Sequence, residues 1–233
     1  MNEKDNLTDT GAPHITPSDA VPLLENRFLK AYDLRYAPGK HYYMASRRAQ
    51  PDLVAAMSED AAQSMVPDAV TCVVILTDEA GDNARLLLNY EYRYPCGRFL
   101  LSPPAGLIDP EDRAEAEPLL CAGKREIKEE TGIAIDEAQG DRLFVLAPVL
   151  FSSPGMTDES NGIVAAVVRA AEARGISVNF DGLCGTELFG GYELVDEAEA
   201  KKIIARGRDA TGNFFSTYTA LALLYFLSGT WRG

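Results

Sequence analysis

The sequence has 233 residues, 46% of them hydrophobic and 24% charged, and a formal net charge of −13. That length holds one core of ordinary size with a small extra subdomain. The acid excess argues against nucleic acid or an acidic membrane as partner, though an anionic nucleotide can still bind through metal and a few arginines.

Residues 1–20 are polar, carry Pro13 and Pro17, and lack an apolar signal core, so they are expected to be flexible. Residues 21–66 are expected to form a β-hairpin subdomain with a helical connection, and 67–233 the main domain. FLKAYDLRY, the turn APGK and HYYMASRR make the hairpin over about 27–48. Tyr32, Tyr36, Tyr42 and Tyr43 fit as strand aromatics. Arg47 and Arg48 fit either phosphate contacts or surface charges. Residues 51–65 look helical in part, with Pro51 suited to a first turn.

AVTCVVILT, the turn DEAGDN and ARLLLNYEYRY give a strong second hairpin. A turn at Pro95 and Gly97 leads into RFLLSPPAGLI. A helix is expected from Pro118 to Thr131, stopped by Gly132. Leu119, Leu120, Ala122 and Ile127 form its apolar stripe, and Gly123 costs it about 1 kcal/mol against Ala. Glu126, Glu129 and Glu130 stand at i, i+3 and i+4 and share one face, which is expected to lie opposite the packed one. Such carboxylates repel, and Mg²⁺ or Mn²⁺ would convert repulsion into chelation. The alternative is a solvated acidic face.

RLFVLAPVLFSS reads as a strand, PGMTDES as a loop and GIVAAVVRAA as the next strand. After the glycine-rich NFDGLCGTELFGG come a strand over 187–195, a helix DEAEAKKIIARG closed by Gly207, and a core-packing helix over about 211–227. Trp231 lies outside the pattern. Cys72, Cys96, Cys121 and Cys184 form no CxxC and no ligand spacing, as for reduced thiols in a cytoplasmic protein. No apolar run reaches membrane-spanning length; ALALLYFL is far too short.

Residues 125–133, REIKEETGI, match R-E-U-x-E-E-x-G-U with U aliphatic. This segment resembles the second half of the Nudix box, G-x5-E-x7-REUxEExGU. Glu117 stands at the box's seven-residue spacing before Arg125, but the best glycine is Gly106, so five extra residues are expected between Gly106 and Glu117. Glu91, Arg93, Pro95, Gly97, Pro104, Ala105, Gly106, Leu107, Ile108 and Asp109 resemble the strand–turn–strand of ADP-ribose and sugar-nucleotide pyrophosphatases.

The resemblance implies an α/β fold: a Nudix α/β/α sandwich with a mixed sheet and a small N-terminal antiparallel β subdomain. It implies Mg²⁺-dependent hydrolysis of the diphosphate bond of ADP-ribose or a related nucleoside diphosphate sugar. The metal would rest on Glu126, Glu129, Glu130 and the Ala105 carbonyl, with Mn²⁺ as an alternative ion, and Arg125 would orient a box glutamate. Gly106 would allow close approach, and Arg93 would contact the diphosphate or else pair with Glu91. Glu159 in SPGMTDE would be the general base, with Asp158 as alternative and a plain surface loop as the bland reading. The same family implies a homodimer built through the N-terminal subdomain, where an aromatic can stack on adenine. Rival readings are a GDP-mannose or UDP-glucose pyrophosphatase and a non-catalytic nucleotide sensor. The sensor reading is disfavoured because all three helix glutamates are present.

Overall fold

The computed structural model describes residues 11–175, 178–180 and 188–233. Residues 1–10 of the expected flexible segment lie outside these, as do Cys184, Glu187 and most of the glycine-rich stretch. The chain divides into two compact units, Met1–Asp68 with Val149–Asn161, and Ala69–Pro148 with Gly162–Gly233. The sequence assigned Val149–Asn161 to the main domain. Hydrogen bonds draw it to the first unit instead: Ala45 N donates to Met156 O at 3.0 Å and the Tyr42 hydroxyl to Gly155 O at 2.6 Å.

In the first unit β1 (Ala20–Glu25), β2 (Lys30–Ala37) and β3 (Lys40–Ser46) form an antiparallel sheet in that order. β2 and β3 are the expected hairpin, and Ala37 pairs with Lys40 across the Pro38-Gly39 turn. β1 was not expected. Structure already begins at a 3-10 turn over Pro17–Asp19, where Asp19 accepts from Thr16 N at 2.8 Å, and Ala20 is fully buried. Pro22 and the exposed Leu23 and Leu24 hide the strand, because a proline is tolerated on a sheet edge and alternation is lost there. Tyr32, Leu34, Met44 and Leu53 complete the small core with Ala20. The expected helical stretch is two 3-10 turns, Gln50–Asp52 and Val54–Ala56, followed by the short α1 (Glu59–Gln63).

The second sheet contains β4 (Ala69–Leu76), β5 (Arg85–Arg93), β6 (Arg98–Ser102), β7 (Ala105–Leu107), β8 (Arg142–Phe151), β9 (Ser160–Val168) and β10 (Phe189–Val195). Its order is β10-β5-β4-β9-β8, with β6 added on β5 and β7 on β4. β5 pairs antiparallel with β4, β6 and β10, and β7 with β4. Asp68 N donates to Ser160 O at one end and Thr77 N to Val168 O at the other, so β4 and β9 run parallel and the sheet is mixed. Every residue of β9 and all but the first of β4 are buried, which is why both read as unbroken apolar runs.

The helices are α2 (Pro110–Arg113), α3 (Pro118–Thr131), α4 (Glu197–Arg206) and α5 (Thr217–Ser228). α3 has the expected bounds. α5 starts later than the expected 211, because Asp209 Oδ1 accepts from Thr211 N and Asn213 N and holds those residues in a loop. Ser216 then caps the helix through Thr219 N. Trp231 is buried, stacks on Phe226 with ring centroids 6.1 Å apart, and donates to Phe226 O. Among the described residues no helix is long and apolar enough to cross a membrane.

Candidate active site

Helix α3 carries the acidic triplet. Pro118 occupies its first turn, and Gly132 closes it at φ 72°. Gly123 faces β9: a Cβ there would lie 2.9 Å from Val164 Cγ2, so its helix cost is the condition for close packing. The expected separation of metal face and packed face is not observed. Glu126 and Glu130 are only 5% and 2% exposed and belong to the same buried side as Leu119, Ala122 and Ile127. Residues 122, 126 and 130 form one i, i+4 row beside 119, 123 and 127, so the helical period puts two carboxylates on the packed face. Glu129 lies further out, with its side chain 37% exposed.

Gly106 on β7 makes room for Glu126. A Cβ at residue 106 would fall 2.1 Å from Glu126 Oε1, so no side chain fits without displacing the carboxylate. Glu130 accepts from Asn89 Nδ2 at 3.0 Å and from Ala105 N at 3.2 Å. Burial pushes the Glu130 carboxyl well above its ordinary pKa, and the charges of Glu91 and Glu126 push it the same way against these two hydrogen bonds. Ala105, expected to offer its carbonyl, thus also fixes a glutamate through its N–H.

Arg125 ties the site together. Its Nη1 donates to Glu126 at 2.7 Å and to Glu129 at 3.1 Å, and its Nη2 to Leu107 O and Asp112 Oδ2, each at 2.8 Å. Burial opposes the charge of Arg125, but Asp112 and Glu126 raise its pKa overall. Burial likewise opposes the charge of Asp112, and the Arg125 hydrogen bonds prevail to hold that carboxyl below its ordinary value. Of Asp112 and Glu117, Asp112 is thus the upstream acid that Arg125 contacts. Five residues separate it from Gly106, so the extra residues fall between Asp112 and Arg125. Glu117 is exposed at the start of α3 and makes no side-chain cap. The G-x5 spacing from Gly106 was the signal that could have found Asp112. Asn89 had no signal in the sequence, while Glu91 stood in the strand–turn–strand resemblance with no influence on Glu130 assigned to it.

Arg93 forms an ion pair with Glu91, the alternative weighed for it, and its side chain remains 42% exposed. Among the described residues no three His, Cys, Asp or Glu side chains already converge as a metal cage. Arg125 stands on Glu126 and Glu129 instead. The donor chemistry still fits a hard divalent cation: Glu130 is buried on neutral donors, with the charges of Glu91 and Glu126 acting on it.

In the first unit Arg47 Nε donates to Glu159 Oε1 at 2.6 Å, with both side chains partly exposed. Asp158 is buried and accepts from Val54 N at 3.2 Å, so the two neighbouring acids take different surroundings. Arg48 pairs with Asp68 at 2.9 Å, and Asp68 Oδ2 accepts from Ser160 N at 2.9 Å and its hydroxyl at 2.8 Å.

No family model matches the chain. The curated Putative nudix hydrolase 2 of Caenorhabditis elegans is 37% identical over 79 residues, covering 34% of this chain and 31% of that protein. The chain thus matches about a third of that relative's length. The crystal structure of an ADP compounds hydrolase superposes with a TM-score of 0.54 at 21% identity, covering 92% of this chain and 97% of that one. A C. elegans Ap4A hydrolase gives a TM-score of 0.44 at 18% identity over 71% of this chain and 99% of its own. The likeness to the ADP compounds hydrolase concerns the fold, in this chain a small antiparallel sheet and a larger mixed sheet. Over those 79 residues the chain is thus similar to a curated putative nudix hydrolase, and the acidic motif of α3 agrees with that likeness.

Proposed function

We propose that this protein hydrolyses the diphosphate bond of ADP-ribose or a related nucleoside diphosphate sugar, releasing a nucleoside monophosphate and a sugar phosphate. The observation that carries this is the burial of Glu126 and Glu130 against Gly106 and Ala105, with Arg125 donating to Glu126 and Glu129. A divalent cation bound there, Mg²⁺ or Mn²⁺, would neutralise the diphosphate and lower the pKa of an attacking water. Glu126, Glu129 and Glu130 with the Ala105 carbonyl are its proposed ligands. Arg125 holds Glu126 and Glu129 in register, and Asp112 holds Arg125. Arg93 contacts the diphosphate when it exchanges Glu91 for substrate. Glu159 takes the proton from water, and its ion pair with Arg47 keeps the side chain from wandering. Arg47 is the further phosphate contact.

The test is a hydrolysis screen of nucleoside diphosphate sugars with and without Mg²⁺, with products identified. AMP and ribose 5-phosphate from ADP-ribose are expected. Turnover confined to GDP-mannose or UDP-glucose would move the substrate assignment, and binding without turnover would defeat the enzyme.

We also propose a homodimer formed through the first unit. There Leu23, Leu24, Phe28, Leu29 and Tyr43 are all at least 45% exposed, an apolar surface of the kind a second subunit covers. A monomeric mass at micromolar concentration would defeat that assignment.

A further inference from the structure

A cavity of about 380 Å³ lies in the second unit where β4 and β9 end. Arg142, Arg169 and Arg232 all line it, together with Thr77 and Trp231. In a chain of net charge −13, three guanidinium groups around one void are out of keeping with the average surface. Most of their hydrogen bonds go to backbone carbonyl oxygens, which carry no net charge. Arg142 donates to the Trp231 carbonyl and to an oxygen of Gly233, the last residue of the sequence. Arg169 Nη2 donates to Glu79 O at 2.7 Å, and Arg232 Nη1 to Gly81 O at 3.4 Å. Only Arg232 of the three reaches a side-chain carboxylate in these contacts, Glu197 at 3.5 Å. Among the described residues of the wall, Asp82 is the one acidic side chain. Carbonyl oxygens orient a guanidinium but leave its positive charge in place, and they fix the forks before a ligand arrives. Arg232 is further steadied over the Trp231 ring at 4.2 Å.

We propose that this cavity is a binding site for a phosphate group, either free phosphate or the phosphate of a small monoester. Phosphate is chosen because planar guanidinium forks match its oxygens in pairs, and because the cavity exceeds one phosphate enough to admit a small attached body. The site is separate from the carboxylate cluster. On β4, Thr71 pairs with Ala105 beside that cluster, while Thr77 lines the arginine cavity. Six residues of strand put them about 20 Å apart. A phosphate bound here therefore touches neither Glu126 nor Glu130.

The test is calorimetric titration of the whole protein with inorganic phosphate and, separately, with ribose 5-phosphate. Both are run with EDTA at low ionic strength, so that no divalent ion bridges phosphate to the glutamates. Saturable binding to wild type is expected, weakened about tenfold by Arg169→Gln and again by Arg232→Gln, as for loss of one charge-assisted hydrogen bond each. Arg93→Gln should bind as wild type does. Arg169 is an exposed side chain, so its variant should keep the wild-type circular dichroism. Should Arg169→Gln misfold, Arg232→Gln alone carries the comparison. Tighter binding of one titrant names the source, free phosphate or monoester. No saturable binding to wild type, binding indifferent to both arginine variants, or binding lost in Arg93→Gln would each overturn the proposal.

Discussion

Asp68 in the first unit and Glu130 in the second are both buried carboxylates, and their surroundings are opposite in kind. Asp68 meets the Arg48 guanidinium, the Ser160 amide and the Ser160 hydroxyl. Its charge is matched by a cation and hydrogen bonds on the spot. Glu130 meets only neutral donors, Asn89 and the Ala105 amide, while Glu91 and Glu126 press negative charge on it. A protein that needed only stability would protonate or replace such a group. A buried acid whose neighbours disfavour its ionised form either holds a proton or takes a cation, which is the choice the proposed metal site makes. The first carboxylate closes a loop onto its unit; the second holds charge in reserve.

Four experiments can break or sharpen that contrast. The largest effect is expected from Glu130→Gln, which should fold and lose hydrolysis by about two orders of magnitude or more, because a neutral amide is a poor ligand for Mg²⁺. Steady-state rates at saturating Mg²⁺ check it, and retention of more than about a tenth of wild-type activity would remove Glu130 from the site.

Next is the pair Glu159→Gln and Asp158→Asn. The first should lower kcat about a hundredfold with little change in KM, as for loss of a positioned base. The second should leave kcat alone and change denaturant unfolding by about 1 kcal/mol at most, since an asparagine oxygen can still accept the Val54 amide. The reverse pattern would make Asp158 the base.

Asp68→Asn should cost about 3 kcal/mol of stability, because it strips Arg48 of its buried counter-charge. Activity per folded molecule should stay near wild type. A loss of activity with unchanged stability would erase the distinction between the two carboxylates.

The smallest effect is a pH slope. The folded pKa of Glu130 is raised, so the folded state binds the proton more tightly than the unfolded state does. Its contribution is full below the ordinary carboxyl range and is lost as pH rises through the raised value. Without metal, the wild-type Tm should therefore fall relative to Glu130→Gln as pH rises from the ordinary carboxyl range, and Mg²⁺ should restore it. Parallel Tm curves for the two proteins would show that Glu130 carries no such strain.

How much of this was legible varied with the physics. Helix α3 was readable to both ends, because Pro118, the apolar stripe and Gly132 act locally. Its inward-facing glutamates were misjudged because charge is ordinarily solvated, and only the partner strand β7 reveals the pocket that accepts Glu126. Asp112 was missed although it keeps the five-residue spacing from Gly106, since Glu117 kept the competing spacing to Arg125 and only contact decides between them. β1 was invisible for a different reason: an edge strand with Pro22 and exposed leucines has neither alternation nor an apolar run. The pairing of Arg47 with Glu159 joins residues 112 positions apart, a separation no local pattern encodes.

The 2.1 Å between a notional Cβ on residue 106 and Glu126 Oε1 also limits how this chain can change over generations. Neither position can move freely alone: any larger residue at 106 evicts the carboxylate, and a shorter acid at 126 leaves a void that an alanine methyl at 106 would fill. Positions 106 and 126 are therefore coupled in size: bulk added at 106 has to be taken from 126. In a library randomised at both sites and selected for turnover, Gly106→Ala should surface only in clones that also carry Glu126→Asp, while clones that keep Gly106 should keep Glu126.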